Sequence, residues 1–104
     1  MITLTDENFD SEIASGIVLV KFSADWCGPC KAVAPIIHDL EERFEGKVKF
    51  ASVDIDSTSI AQKFSIRGVP TVLIFSNGQV VNSLVGAQTK SRYELALDTA
   101  LENG

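Results

Sequence analysis

The chain is sparing with reactive side chains. Its 104 residues hold two cysteines, one histidine, one tryptophan, one tyrosine and one methionine. Two cysteines are too few for a disulfide scaffold of the small secreted kind. Two cysteines and His38 also fall short of the four ligands of a structural zinc site, and iron–sulfur ligation fails for the same shortage. Haem attachment needs a histidine after the second cysteine, where Lys31 stands. No metal and no other cofactor is therefore expected. Basic residues are scarce too: nine Lys and Arg face fourteen Asp and Glu, a formal net charge of -5. That balance argues against a nucleic-acid partner, whose phosphates require clustered cations.

Long apolar runs are missing. The run Ile17–Val20 is far too short to span a bilayer, so no membrane partner is expected. Met1–Glu7 shows neither a basic segment nor an apolar one of the secretory kind, which points to a cytoplasmic protein or a mature form. There is no repeat, no low-complexity tract and no Pro/Gly/Ser linker. Residues 1–104 read as one domain, long enough to bury a core. A monomer is the default expectation at this size.

What is present alternates between strand and helix signals. Thr5–Ala14 reads as a short helix capped by Thr5, with Phe9 and Ile13 one turn apart. Gly16 breaks it. Ile17–Ala24 is apolar on both faces, as a central strand covered by helices should be. From Gly28 to Phe44 the period turns helical, with Val33, Ile36, Ile37, Leu40 and Phe44 in one stripe. Pro35 inside it predicts a kink. Val48–Ile55 reads as a strand. Asp56 or Ser57 is then expected to cap a short helix through Phe64. Arg67–Pro70 is a loop. Thr71–Phe75 and Gln79–Val85 form a hairpin about Asn77-Gly78. Thr89 caps a final helix carrying Tyr93, Ala96, Leu97, Ala100 and Leu101. The order α-β-α-β-α-β-β-α predicts an α/β fold: a central mixed sheet flanked by helices on both faces.

The two cysteines meet at one strand-to-helix junction, Trp26-Cys27-Gly28-Pro29-Cys30-Lys31. Disulfide exchange proceeds by thiolate attack. Cys27 should stand at the helix start, where unpaired amides and the macrodipole favour negative charge and lower a thiol below its free value of about 8.5. Cys30, one turn further in, is placed to attack a mixed disulfide at Cys27. Pro29 suits a first helical turn, and Gly28 lets a partner's backbone come close. A purely structural disulfide would close a tiny loop and gain little. A reversible dithiol is the leading reading.

These residues resemble the active-site motif of the thioredoxin family. So do Pro35, Arg67-Gly68-Val69-Pro70-Thr71, the Asn77-Gly78 hairpin and Val85-Gly86-Ala87. The resemblance spans essentially the whole chain. It implies a thioredoxin fold and protein-disulfide reductase activity. It also implies recycling by a thioredoxin reductase, most often NADPH-dependent, and disulfide-containing client proteins as substrates. By the same resemblance Cys27 is the nucleophile and Cys30 the resolving thiol of a redox-active disulfide. Gly28-Pro29 is the dipeptide of reducing members, where isomerases and oxidases usually carry a histidine.

Several residues carry two readings. Pro70 alone would be a trans loop proline that starts a strand. The resemblance instead implies a cis Val69–Pro70 bond facing the cysteines, with the Val69 backbone open to an extended substrate. Trp26 is a core or surface aromatic on general grounds and a rim residue by resemblance. Gly86 is a turn glycine, placed by resemblance on the docking surface. Lys21 departs from the family, most of whose members carry a buried Asp there. Lys21 either snorkels or pairs with a carboxylate such as Asp54, or it tunes Cys30. A binding module that uses the same rim, with its thiols incidental, is the competing class of function.

Overall fold

A computed structural model describes residues 1–104. The elements run β1 (Ile2–Thr3), α1 (Phe9–Ile13), β2 (Ile17–Ser23), α2 (Gly28–Arg43), β3 (Lys49–Asp54), α3 (Ile60–Lys63), β4 (Thr71–Ser76), β5 (Gln79–Val85) and α4 (Lys90–Asn103). The five strands form one sheet in the order β1-β3-β2-β4-β5. β3 runs parallel to β1 and β2, whereas β4 is antiparallel to β2 and β5 to β4. The expected mixed sheet is present.

Each face of the sheet has its own core. On one face Leu19, Phe50, Val72 and Ile74 pack with Val33, Ile37 and Leu40 of α2 and Tyr93 and Leu97 of α4. On the other, Val18, Val20, Phe22, Val53 and Leu73 pack with Phe9 and Ile13 of α1 and Ile60 of α3. Alternate residues of β2 go to opposite faces, so a central strand must be apolar throughout. Phe9, Phe64 and Phe75 cluster there, with ring centroids 5.5–5.9 Å apart.

The differences from the sequence reading are local. β1 was not expected; two residues are too few to show a period, and they become a strand only because β3 offers an edge. The helix of Thr5–Ala14 is regular only over Phe9–Ile13. Thr5 still closes its entrance, since Asn8 N donates to Thr5 Oγ1 at 3.2 Å and Thr5 N to Asn8 Oδ1 at 2.7 Å. The helix ending at Phe64 is a single turn entered at Ser59, and neither Asp56 nor Ser57 caps it. Ser57 Oγ donates instead to Asp54 Oδ2 at 3.0 Å. α2 continues through Pro35 from Gly28 to Arg43.

The turns hold the site's frame. Asn77 and Gly78 both have positive φ, +49° and +88°, the geometry that favours Asn-Gly in tight hairpins. Asn77 is also tied across the molecule: Gly16 N donates to its Oδ1 at 2.9 Å, and its own N–H donates to Gly16 O at 3.0 Å. The β4–β5 ladder shifts register between Ile74 and Phe75, leaving Val81 as the extra residue of a bulge.

Candidate active site

Both cysteines lie where β2 delivers the chain into α2. This is the C-terminal end of a parallel strand, the usual place for a site in an open α/β sheet. Cys27 is the N-cap of α2, with extended backbone, and its sulfur accepts the Cys30 amide at 3.2 Å. Pro29 falls in the first turn, where its missing N–H costs nothing. Cys27 and Cys30 are joined as a disulfide with Cα atoms 5.3 Å apart, within the usual range of roughly 4.4–6.8 Å. Both are nearly covered, at 3% and 4% exposure. With Ala24, and with Ile55 and Val69 against them, they form a small apolar cluster separate from the two main cores.

The loop before β4 faces this cluster. The Val69–Pro70 peptide is cis, as the resemblance implied, and Cys27 Sγ lies 3.6 Å from the Val69 carbonyl oxygen. A disulfide sulfur has no proton to donate, so in this oxidised state that distance is a contact. Thr71 Oγ1 donates to Gly68 O at 2.8 Å and Gly86 N to Pro70 O at 2.8 Å, which ties the loop to the start of β4 and the end of β5. Gly86 has φ +80°, a conformation that side chains resist. Gly28 is different: a side chain there would meet nothing within 4 Å, so only an approaching partner would need the space.

Trp26 is not a core residue. It stands 69% exposed beside the cysteines, and its indole Nε1 donates to Asp56 Oδ2 at 2.9 Å. Asp56 was expected to cap a helix; its partner lies thirty residues away in sequence, at a distance no local pattern reports. Tyr93 is buried, as its helical stripe indicated. Its hydroxyl accepts from Gln88 N at 3.2 Å and lies 3.5 Å from Gly86 O, bracing the turn after β5. Desolvation pushes its phenol above the ordinary value near 10, while the Gln88 hydrogen bond opposes that rise.

Lys21 corrects one expectation. It makes no ion pair with Asp54, whose carboxylate is occupied by Asp56 N at 2.9 Å and Ser57 Oγ at 3.0 Å. The lysine is half-buried between Ser52 of β3 and Val72 of β4, without a carboxylate partner. Desolvation therefore holds its amine below the ordinary lysine range. A cleft of about 180 Å³, open on one side to water, is lined by Lys21, Ser23, Ala24, Asp25, Cys30, Lys31 and Ala34. The structure thus brings Lys21 and Cys30 to one cleft.

The thioredoxin sequence model matches residues 1–99. Thioredoxins of Staphylococcus aureus strains Mu50, MW2 and USA300 are each 40% identical over 102 residues, covering 97% of this chain and 98% of the relative. The chain belongs to the thioredoxin family. It has the family's fold and is a thiol–disulfide oxidoreductase, a protein-disulfide reductase whose redox-active pair is Cys27 and Cys30. Membership implies a thioredoxin reductase and disulfide-containing proteins as its partners. No helix is long and apolar enough to cross a membrane.

Proposed function

We propose that Cys27 is the attacking thiol and Cys30 the resolving one. In the reduced protein Cys27 retains its N-cap position, where the first amides of a 16-residue helix stabilise a thiolate. Its thiolate attacks a client disulfide, forming a mixed disulfide and releasing one client thiolate. The Cys30 thiolate then attacks the Cys27 sulfur. The Cys27–Cys30 bond forms, the bond to the client breaks, and the electron pair leaves on the second client sulfur. The client gains two electrons, and the reductase later supplies two more to reduce the Cys27–Cys30 disulfide back to the dithiol. The observation that carries this assignment is the contact of Cys27 Sγ with Val69 O, because it turns Cys27 rather than Cys30 toward the docking loop.

The docking rim in this reading is Trp26, Val69, Pro70 and Gly86. Val69 brings its backbone carbonyl beside Cys27 just ahead of β4, where an extended client segment could pair with it. Trp26 supplies an exposed apolar wall, and Gly28 leaves room for a client backbone. Pro29 shapes the first turn. Lys21 belongs to the site as a residue tuning Cys30 from the cleft that both line. Residues 1–104 act as one domain and as a monomer, with an NADPH-dependent reductase as electron donor and the cytoplasm as location. The family match over residues 1–99 supports the single domain.

Two measurements test this. Cys30→Ser is expected to trap a mixed disulfide with an insulin-type client through Cys27, while Cys27→Ser traps none; the opposite pattern would reverse the assignment. NADPH oxidation coupled through a thioredoxin reductase should follow client reduction by the wild-type chain. A chain that the reductase cannot recycle would remove the proposed donor.

A further inference from the structure

The amine of Lys21 is an uncompensated group in a central strand, and the cleft it lines has one thiol, Cys30. Strand alternation puts Lys21 on the same face as Ile17 and Leu19, under α2, while the Val69 loop lies against Cys27. The charged groups facing Lys21 are few. Lys31 lines the cleft from α2 and Asp25 from the loop after β2. β3 and β4 place Ser52 and Val72 beside it, and α4 contributes no lining residue. Asp25 and Lys31 are exposed at the cleft, and Asp25 makes no ion pair with Lys21. The nearest carboxylate on β3, Asp54, is engaged by its own loop.

An almost covered thiol and a half-buried amine that line one cleft are coupled in their titration when their charges interact. We propose that Lys21 and Cys30 share this titration: the pair releases one proton through the open cleft and leaves an ammonium beside a thiolate, which is the attacking form of Cys30. The inference deepens the assignment of Cys30 as resolving thiol and rests on it. The pair starts with two protons, on the amine and on the thiol. One proton leaves to water. The remaining proton stays on Lys21, which offsets the charge on the Cys30 sulfur. The thiolate then attacks the Cys27 sulfur of the mixed disulfide, and the client sulfur departs with the bonding pair. Formation of the disulfide discharges the thiolate, and the cleft is left with a cation that has lost its partner.

The experiment is single-turnover reduction of a disulfide peptide by the reduced full-length protein, with acid quenching to follow the mixed disulfide across pH. In wild type the rate of resolution should rise with a midpoint below that of Lys21→Met. An opposite charge beside a thiol is worth about one pH unit or more, so resolution by Lys21→Met below the midpoint should be about tenfold slower. Lys21→Arg keeps the cation and should restore the low midpoint. Circular dichroism confirms that each variant is folded, and Lys21→Gln serves if the methionine variant is not. Equal midpoints in wild type and Lys21→Met overturn the role of Lys21. The Cys30→Ser trap is read separately: a normal trap with unchanged midpoints sinks only the lysine, whereas no trap sinks the dithiol assignment beneath it.

Discussion

The indole of Trp26 is held by Asp56, Nε1 to Oδ2 at 2.9 Å, although the tryptophan is 69% exposed. A large exposed aromatic would otherwise sample several rotamers. The hydrogen bond sets one orientation beside Cys27 and presents a defined apolar wall. Asp56→Ala should free the ring. The expected outcome is a several-fold loss in client reduction, with altered Trp26 fluorescence. Stability should change by less than about 1 kcal/mol, because the bond is exposed. Unchanged turnover and unchanged emission would show that the orientation does not matter.

Lys21 sets function against stability. Its ammonium is half-buried without a partner, and an unpaired charge in that position is unfavourable. Lys21→Met should raise stability by about 1 kcal/mol at neutral pH, which is about 5 °C in Tm for a chain of this size. The sign with pH follows from the lowered proton affinity of the folded state. Wild type should gain stability as pH rises from the folded value toward the ordinary lysine value of 10.5, and the methionine variant should lack that gain. Thermal melts of both proteins across alkaline pH check it.

Tyr93 acts with the opposite sign. Its phenol holds its proton more firmly in the folded state, chiefly through desolvation. The resulting stability is fully present below the unfolded value near 10 and is lost as pH rises through the folded value. Tyr93→Phe should lack that alkaline loss. At neutral pH it should cost about 1 kcal/mol, because Gln88 N loses its acceptor. Hydrogen exchange at Gln88 should accelerate as the turn at Gly86 loosens.

Ser65 stands in a glycine's place. α3 ends in a Schellman pattern: Ser65 N donates to Gln62 O at 3.3 Å and Ile66 N to Ala61 O at 3.0 Å. This puts Ser65 at φ +54°, a left-handed conformation that costs an L-residue roughly 1 kcal/mol. Ser65→Gly should therefore stabilise by about 0.5–1 kcal/mol, or about 4 °C in Tm. A lower Tm would show that serine is not strained there.

Much of this was readable from local pattern. The switch from the two-faced apolar run of β2 to the helical stripe of α2 located the cysteines at a helix start. Asn77-Gly78 named its hairpin, and Thr89 its cap, which accepts Arg92 N at 3.3 Å. The β1 strand was not readable, since two residues carry no period. Nor was the entrance to α3, because Asp54, Asp56 and Ser57 all suit a cap by type, and their side chains went to other partners.

The residue order by itself determined the alternation of elements, the two apolar faces of β2 and the dithiol at the head of α2, because periodicity, capping and spacing act over a few positions. Tertiary structure decided the rest. It brought Val69 to Cys27, Asp56 to Trp26 and Tyr93 to the Gly86 turn. It also left Lys21 without a carboxylate and opened it onto the cleft of Cys30. Those relations join residues far apart in the chain, and only the closure of the sheet and the packing of helices on it set their distances.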